Sequence, residues 1–123
     1  MNPILLYLLV TFLVLLLDFI WIGGIFLPRF TSMIEDVQKE KFVVNTSYAV
    51  ISYLILITLI FIIIQKCNSW YEAFFIGFLI YAVYDSTNLA TLKNWDVTNS
   101  TIDSLWGGTL IAIIYAITTA ILG

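Results

Sequence analysis

A chain of 123 residues that is 62% hydrophobic and only 11% charged, with a mean hydropathy of +1.04, is too apolar for water, because soluble domains carry about 45–50% apolar residues. Its length admits one domain, residues 1–123, and at about 20 residues per crossing four membrane spans would use most of it, excluding a soluble catalytic module. A formal charge of −3, five scattered Lys and Arg and no His exclude a nucleic-acid surface and histidine-based metal or proton chemistry.

The expected fold class is all-α: a polytopic membrane protein, a bundle of four transmembrane helices with a short polar or interfacial segment between helices one and two. The first span is predicted over about 4–27 and ends at Pro28-Arg29, where ring and charge both oppose continuation in lipid. Its apolar run is longer than a signal-peptide core and contains Asp18, which predicts a retained helix. A polar loop, 28–44, follows with Glu35, Asp36, Lys39, Glu40 and Lys41. The second span, about 45–64, leads through Gln65-Lys66-Cys67-Asn68-Ser69 into the third, a turn short enough to predict antiparallel neighbours. Cys67 has no partner for an internal disulfide, which leaves it a bystander or a juxtamembrane palmitoylation site. The third span covers about 70–92 and the fourth about 101–122, with 93–100 between them.

Four spans put both termini on one face of the membrane, side A, and the loops 28–44 and 93–100 on side B. Arg29, Lys39, Lys41 and Lys93 lie on side B against Lys66 on side A, so the positive-inside rule assigns side B to the cytoplasm.

Three aspartates lie within the spans: Asp18, Asp85 and Asp103. An intramembrane charge costs about 2.5–3.5 kcal/mol on insertion scales, so each asks for a partner or a role. At 1.5 Å per residue Asp18 lies roughly 13 Å and Asp85 roughly 10 Å from side B, with Asp103 within a turn of it. Residues three or four apart share a helical face. Asp18 thus accompanies Trp21; Tyr81, Asp85 and Asn88 form a stripe with Thr87 alongside; Asp103 accompanies Trp106. Helix two contributes Asn45, Tyr48 and Ser52 to the same half. The predicted binding or ion/proton site is therefore Asp18, Trp21, Tyr81, Asp85, Thr87, Asn88, Asp103 and Trp106, open to side B. No cofactor is expected beyond a hard divalent cation, whose ligands would be Asp18, Asp85 and Asp103. The plainer reading gives the aspartates interhelical hydrogen bonds worth about 0.6 kcal/mol each and makes the tryptophans interface belts, which suits Trp70 and Trp95 best.

Asp18-x-x-Trp21-x-Gly23-Gly24 and Asp103-x-x-Trp106-Gly107-Gly108 also match each other, the mark either of an inverted repeat or of chance. Gly108, Ala112, Ala116 and Ala120 follow small-xxx-small spacing and predict a close helix contact.

The motifs Leu17-Asp18-x-x-Trp21-x-Gly23, Tyr84-Asp85-x-Thr87-Asn88-x-Ala90-x-Leu92-x-x-Trp95 and Asp103-x-x-Trp106-Gly107 resemble, in order and spacing, a family of small predicted four-helix membrane proteins classed as a domain of unknown function. The similarity spans essentially the whole chain. It implies the four-helix fold and marks these residues, without implying a reaction.

Three functions fit the one-sided polar lining. Transport or conduction of a proton, cation or small polar solute is favoured. A membrane assembly or binding subunit, docking a copy of itself or another membrane protein through the small-residue stripe, is the first alternative. An intramembrane lipid-modifying enzyme using the carboxylates as acid and base is the second, weakened by the absence of a phosphate-binding Arg from the spans. The expected partners are membrane lipids and either a homo-oligomer or a partner membrane protein, with no nucleic acid.

Overall fold

A computed structural model describes residues 1–123. It contains helices and no strands: α1 (Pro3–Trp21), a π-helical segment (Ile22–Phe26), α2 (Leu27–Gln38), α3 (Thr46–Lys66), α4 (Trp70–Thr91) and α5 (Val97–Leu122). Four helical runs are long and apolar enough to cross a membrane, Pro3–Gln38, Thr46–Lys66, Trp70–Thr91 and Val97–Leu122. The protein is an all-α membrane protein with four candidate spans.

The first run corrects the expected stop at Pro28. Its 36 residues extend about 54 Å, well beyond a hydrocarbon core of about 30 Å, so its last turns leave the membrane. The helix survives the proline because the turn before it is widened. Leu27 donates its N–H to the Ile22 carbonyl five residues back, and Pro28 falls in the first turn of α2, where a missing N–H costs least. Lys39 ends α2 in the left-handed conformation, φ 61°, and the Glu35 carboxylate accepts from the Phe42 backbone N–H at 2.8 Å. The polar segment between spans one and two is thus mostly helix, an extension of the first span.

Each later span begins with a side-chain cap. Asn45 accepts from the Tyr48 N–H at 3.2 Å, Ser69 from Glu72 at 3.3 Å and Asp96 from Asn99 at 2.9 Å, satisfying first-turn donors that have no partner within the helix. Glu72 returns the contact by accepting from the Asn68 N–H at 2.6 Å. Because Asp96 is the cap, α5 starts at Val97, and Asp103 sits about 9 Å along the helix, deeper than the sequence suggests.

α5 is the hub. It packs against α4 most closely, then against α1 and α3, while α1 also packs on α3. α3 and α4, though joined by a short turn, do not pack along their lengths. The expectation that the turn makes them neighbours is corrected by glycine. A Cβ on Gly77 would lie 2.5 Å from the Gly107 carbonyl oxygen, and one on Gly108 would lie 2.8 Å from that of Phe74. Only glycine permits this α4–α5 approach, and it draws α4 away from α3. Of the predicted stripe, Gly108 alone is buried, while Ala116 and Ala120 are exposed. The packed face of α5 instead carries Ser104, Gly107, Gly108, Ile111, Ile114 and Thr118.

The side-A half carries no charged side chain in its core and is mainly apolar, with Leu6, Val10, Ile57, Ile60, Ile64, Leu110, Ile111 and Ile114 buried in one cluster beside the buried Thr118 and a Tyr7–Thr58 hydroxyl contact at 3.0 Å. Exposed Phe12, Phe19, Ile55, Phe75 and Val83 face outward, as lipid contact requires. The intramembrane aspartates are left to the side-B half.

Candidate functional site

Asp18 on α1 is 6% exposed and holds together three helices. Its Oδ1 accepts from the Trp106 indole N–H of α5 at 2.9 Å, and the Tyr53 hydroxyl of α3 lies near the same carboxyl. The indole of Trp106 lies flat on that of Trp21, centroids 4.7 Å apart and planes 6° apart, and Trp21 in turn stacks on Phe26 at 5.7 Å. The two Asp-x-x-Trp units thus meet, without twofold equivalence. The Trp21 indole N–H is buried and unpartnered, and a Cβ on Gly23 or Gly24 would meet nothing within 4 Å, in contrast to Gly107 and Gly108.

Asp85 on α4 is 3% exposed. It accepts from the Ser104 hydroxyl of α5 at 3.4 Å, and its carboxyl lies beside that of Asp103, within hydrogen-bonding reach. The pair bridges the α4–α5 seam with a cavity on each side. Asp85, Ser100 and Ser104 line one of about 210 Å³, where the buried Ser100 hydroxyl has no partner. Asp103 lines the other, of about 310 Å³, with Phe30, Ile80, Tyr81 and Tyr84. Tyr81 stands among Asp18, Asp85, Asp103 and Tyr53, its ring lying over Gly107 where any Cβ would overlap it.

No basic side chain joins these carboxyls. The one ion pair in the chain is Lys39 with Asp36 at 3.1 Å, outside the spans. Arg29 instead donates to Asn99 at 3.3 Å at the rim of a polar cleft of about 750 Å³, which Ser32, Asp36, Asn94 and Asp96 also line.

Of the predicted residues, Asp18, Trp21 and Trp106 form one group and Asp85 and Asp103 another, with Tyr81 between them. Asn88 is half-buried and lies near the Tyr84 hydroxyl. Thr87 is exposed and returns its hydroxyl to the Val83 carbonyl at 2.7 Å, so it stands apart from the site. The expected metal ligand set is not assembled: nowhere do three acidic or thiol groups gather as a metal ion requires.

Sequence reasoning missed Tyr53, Ser100, Ser104 and Phe30, and marked Tyr84 and Trp95 only through the family motif. On α3 it favoured Tyr48 and Ser52, both exposed; Tyr53 lies about 100° around the helix from Ser52. Trp95, expected in the interface belt, is 8% exposed and packs edge-on against Phe30 at 6.5 Å and Tyr84 at 6.1 Å. The available signal for Ser104 was its place inside the Asp103-Ser104-x-Trp106 motif.

The family profile described as Predicted membrane protein (DUF2177) matches residues 3–121. The chain belongs to the DUF2177 family. Neither a curated protein nor a solved structure matches it. In this DUF2177 chain the three motifs that carried the resemblance converge in the side-B half: the first supplies Asp18, the second Asp85 and Trp95, and the third Asp103 and Trp106.

Proposed function

We propose that this DUF2177 protein binds a proton or another cation at the Asp85–Asp103 pair and serves its transport across the membrane. The observation that carries the reading is a pair of adjacent carboxyls inside the spans with no basic side chain beside them. Two carboxylates in contact in a low-dielectric setting repel each other, and a proton or cation between them removes that repulsion. Ser104 and the two flanking cavities give such an ion hydrogen-bonding company and room. Asp18, which accepts from the Trp106 indole with Tyr53 nearby, is assigned to holding α1, α3 and α5 together. The side-A half contains no matching polar lining, so passage requires either a rearrangement of the α4–α5 seam or a second copy of the chain. Exposed Ala116 and Ala120 offer a face on which a copy can pack closely.

Reconstitution into liposomes with an internal pH-sensitive dye, under imposed proton, Na⁺ or K⁺ gradients, tests the reading. Flux above that of empty vesicles is expected, and Asp85→Asn should abolish it while preserving side-chain volume. Wild-type vesicles no leakier than empty ones under every gradient would refute the proposal.

A further inference from the structure

We propose that the cavity beside Asp103 binds a lipophilic organic ammonium ion arriving from the bilayer. This rests on the reading of the carboxyl pair as a cation acceptor and names the class of cation.

Of the five residues lining the cavity, three are aromatic, Phe30, Tyr81 and Tyr84, one is Ile80, and the only charged group is Asp103. Aromatic faces are electron-rich and attract cations within about 6 Å, most strongly when water is excluded. A carboxyl set among such faces complements an alkylammonium, whose charge is spread over apolar carbon and needs no shell of oxygen ligands. A hard inorganic cation is served poorly here, because it takes about six oxygens and the three aspartates do not converge. A neutral polar solute finds few hydrogen-bonding partners on these walls. A bare proton would need no cavity.

The rings are held before any ligand arrives. Trp95 meets both Phe30 and Tyr84 edge-on, at interplanar angles of 89° and 83°, and is itself 8% exposed. Tyr81 is fixed against Gly107 from behind. Preorganisation of this kind lowers the ordering cost of binding. Phe30 is in place because the first helix continues through Pro28, so the π-helical turn and the box belong to one device. The volume, about 310 Å³, is at the lower end of ligand pockets, which run from about 300 Å³, and suits a single ammonium head. Tyr84 is 51% exposed, and seven residues from the helix end it lies about 10 Å inside the span. In a bilayer the open face at that depth would meet lipid, with Phe30 at the end nearer the side-B boundary.

The test uses the full-length chain in nanodiscs, with equilibrium dialysis of benzyltrimethylammonium and of neopentylbenzene, its uncharged carbon isostere, against empty nanodiscs. Saturable binding of the cation alone is expected. Asp103→Asn should weaken it by about tenfold or more, and Phe30→Leu or Tyr84→Leu by about 2- to 30-fold, while Tyr84→Phe, which keeps the ring, should bind as wild type does. If Asp103→Asn does not purify as a single species, the Tyr84→Leu and Tyr84→Phe comparison decides. Equal binding of the neutral isostere, or equal loss in Tyr84→Leu and Tyr84→Phe, would overturn the inference. Liposome flux of protons or inorganic cations without any ammonium binding would overturn this inference alone; absence of both flux and binding would overturn it together with the function it rests on.

Discussion

Gly107 is the position where one added methyl should report most sharply on how the site is built. Its ideal Cβ would overlap the Tyr81 ring and lie 2.8 Å from the Tyr81 Cβ. A rotamer change cannot clear the root of a side chain, so either Tyr81 tilts out from among the aspartates or α4 and α5 part. Overpacking of this kind costs about 1–3 kcal/mol. Replacing a helical glycine by alanine returns about 1 kcal/mol in backbone entropy, which leaves Gly107→Ala destabilised by about 0–2 kcal/mol. Gly77→Ala meets the Gly107 carbonyl at 2.5 Å, an atom that cannot move aside on its own, so its loss should fall near the top of that range. Gly23→Ala meets nothing within 4 Å and should be neutral or stabilised by up to about 1 kcal/mol. Thermal midpoints from circular dichroism, measured in one detergent, rank the three. Gly107→Ala should also lose liposome flux at temperatures where it is fully folded, because Tyr81 no longer keeps its place in the wall of the Asp103 cavity. A raised midpoint for Gly107→Ala, or a Gly77→Ala midpoint equal to that of Gly23→Ala, would refute the close α4–α5 seam.

Trp106→Phe keeps a ring against Trp21 but removes the indole donor from Asp18; leaving a buried acceptor unsatisfied costs about 1–3 kcal/mol. The same thermal measurement checks it, and an unchanged midpoint would mean that the Asp18–Trp106 bond does not help hold α1 to α5. At the α3–α4 turn, burial and then the Glu72 carboxylate push the Cys67 thiol above its ordinary range. Since the thiolate is the nucleophile, iodoacetamide should label Cys67 more slowly than a free thiol at any given pH, with the rise in rate displaced to higher pH. Glu72→Gln keeps an acceptor for the Asn68 N–H and removes the charge, so labelling should speed up; slower labelling would contradict the assignment.

The spans were legible because hydropathy and length are sufficient to identify them, and because Asp18, Asp85 and Asp103 stand out where any charge is costly. Less visible was how the helices are turned and which of them touch. Pro28 reads as a terminator when only its ring is considered; the wider turn at Ile22–Phe26 that lets the helix pass is a property of five neighbouring residues acting together. That continuation places Phe30 against Trp95 and takes Trp95 out of the interface belt. A polar stripe on α3 pointed at Tyr48 and Ser52, but Tyr53 is the residue that reaches Asp18, since α3 packs on α1 and α5 rather than on α4. The small-residue stripe is divided for the same reason, Gly108 lying buried against α4 and Ala116 and Ala120 exposed. Spacing identifies a smooth face, whereas the partner's own glycine, Gly77, decides which smooth face is used.

The division of the bundle into two halves constrains how the proposed cation could move. From Asp103 to Leu122 α5 runs about 28 Å, and about a third of the way along it is sealed by Leu110, Ile111 and Ile114 against Leu6, Val10, Ile60 and Ile64. A cation at the carboxyl pair therefore has side B and the lipid within reach and a dry core between it and side A. Interlocked apolar packing of this kind does not open gradually, because side chains in a close-packed interior shift together or not at all. The seam of α4 with α5 is drawn together by Gly77, Gly107 and Gly108. It carries Asp85 on one wall and Asp103 on the other. A shift along it would move the carboxyls relative to each other and change the ion they hold, which would couple occupancy to the packing of α4 on α5.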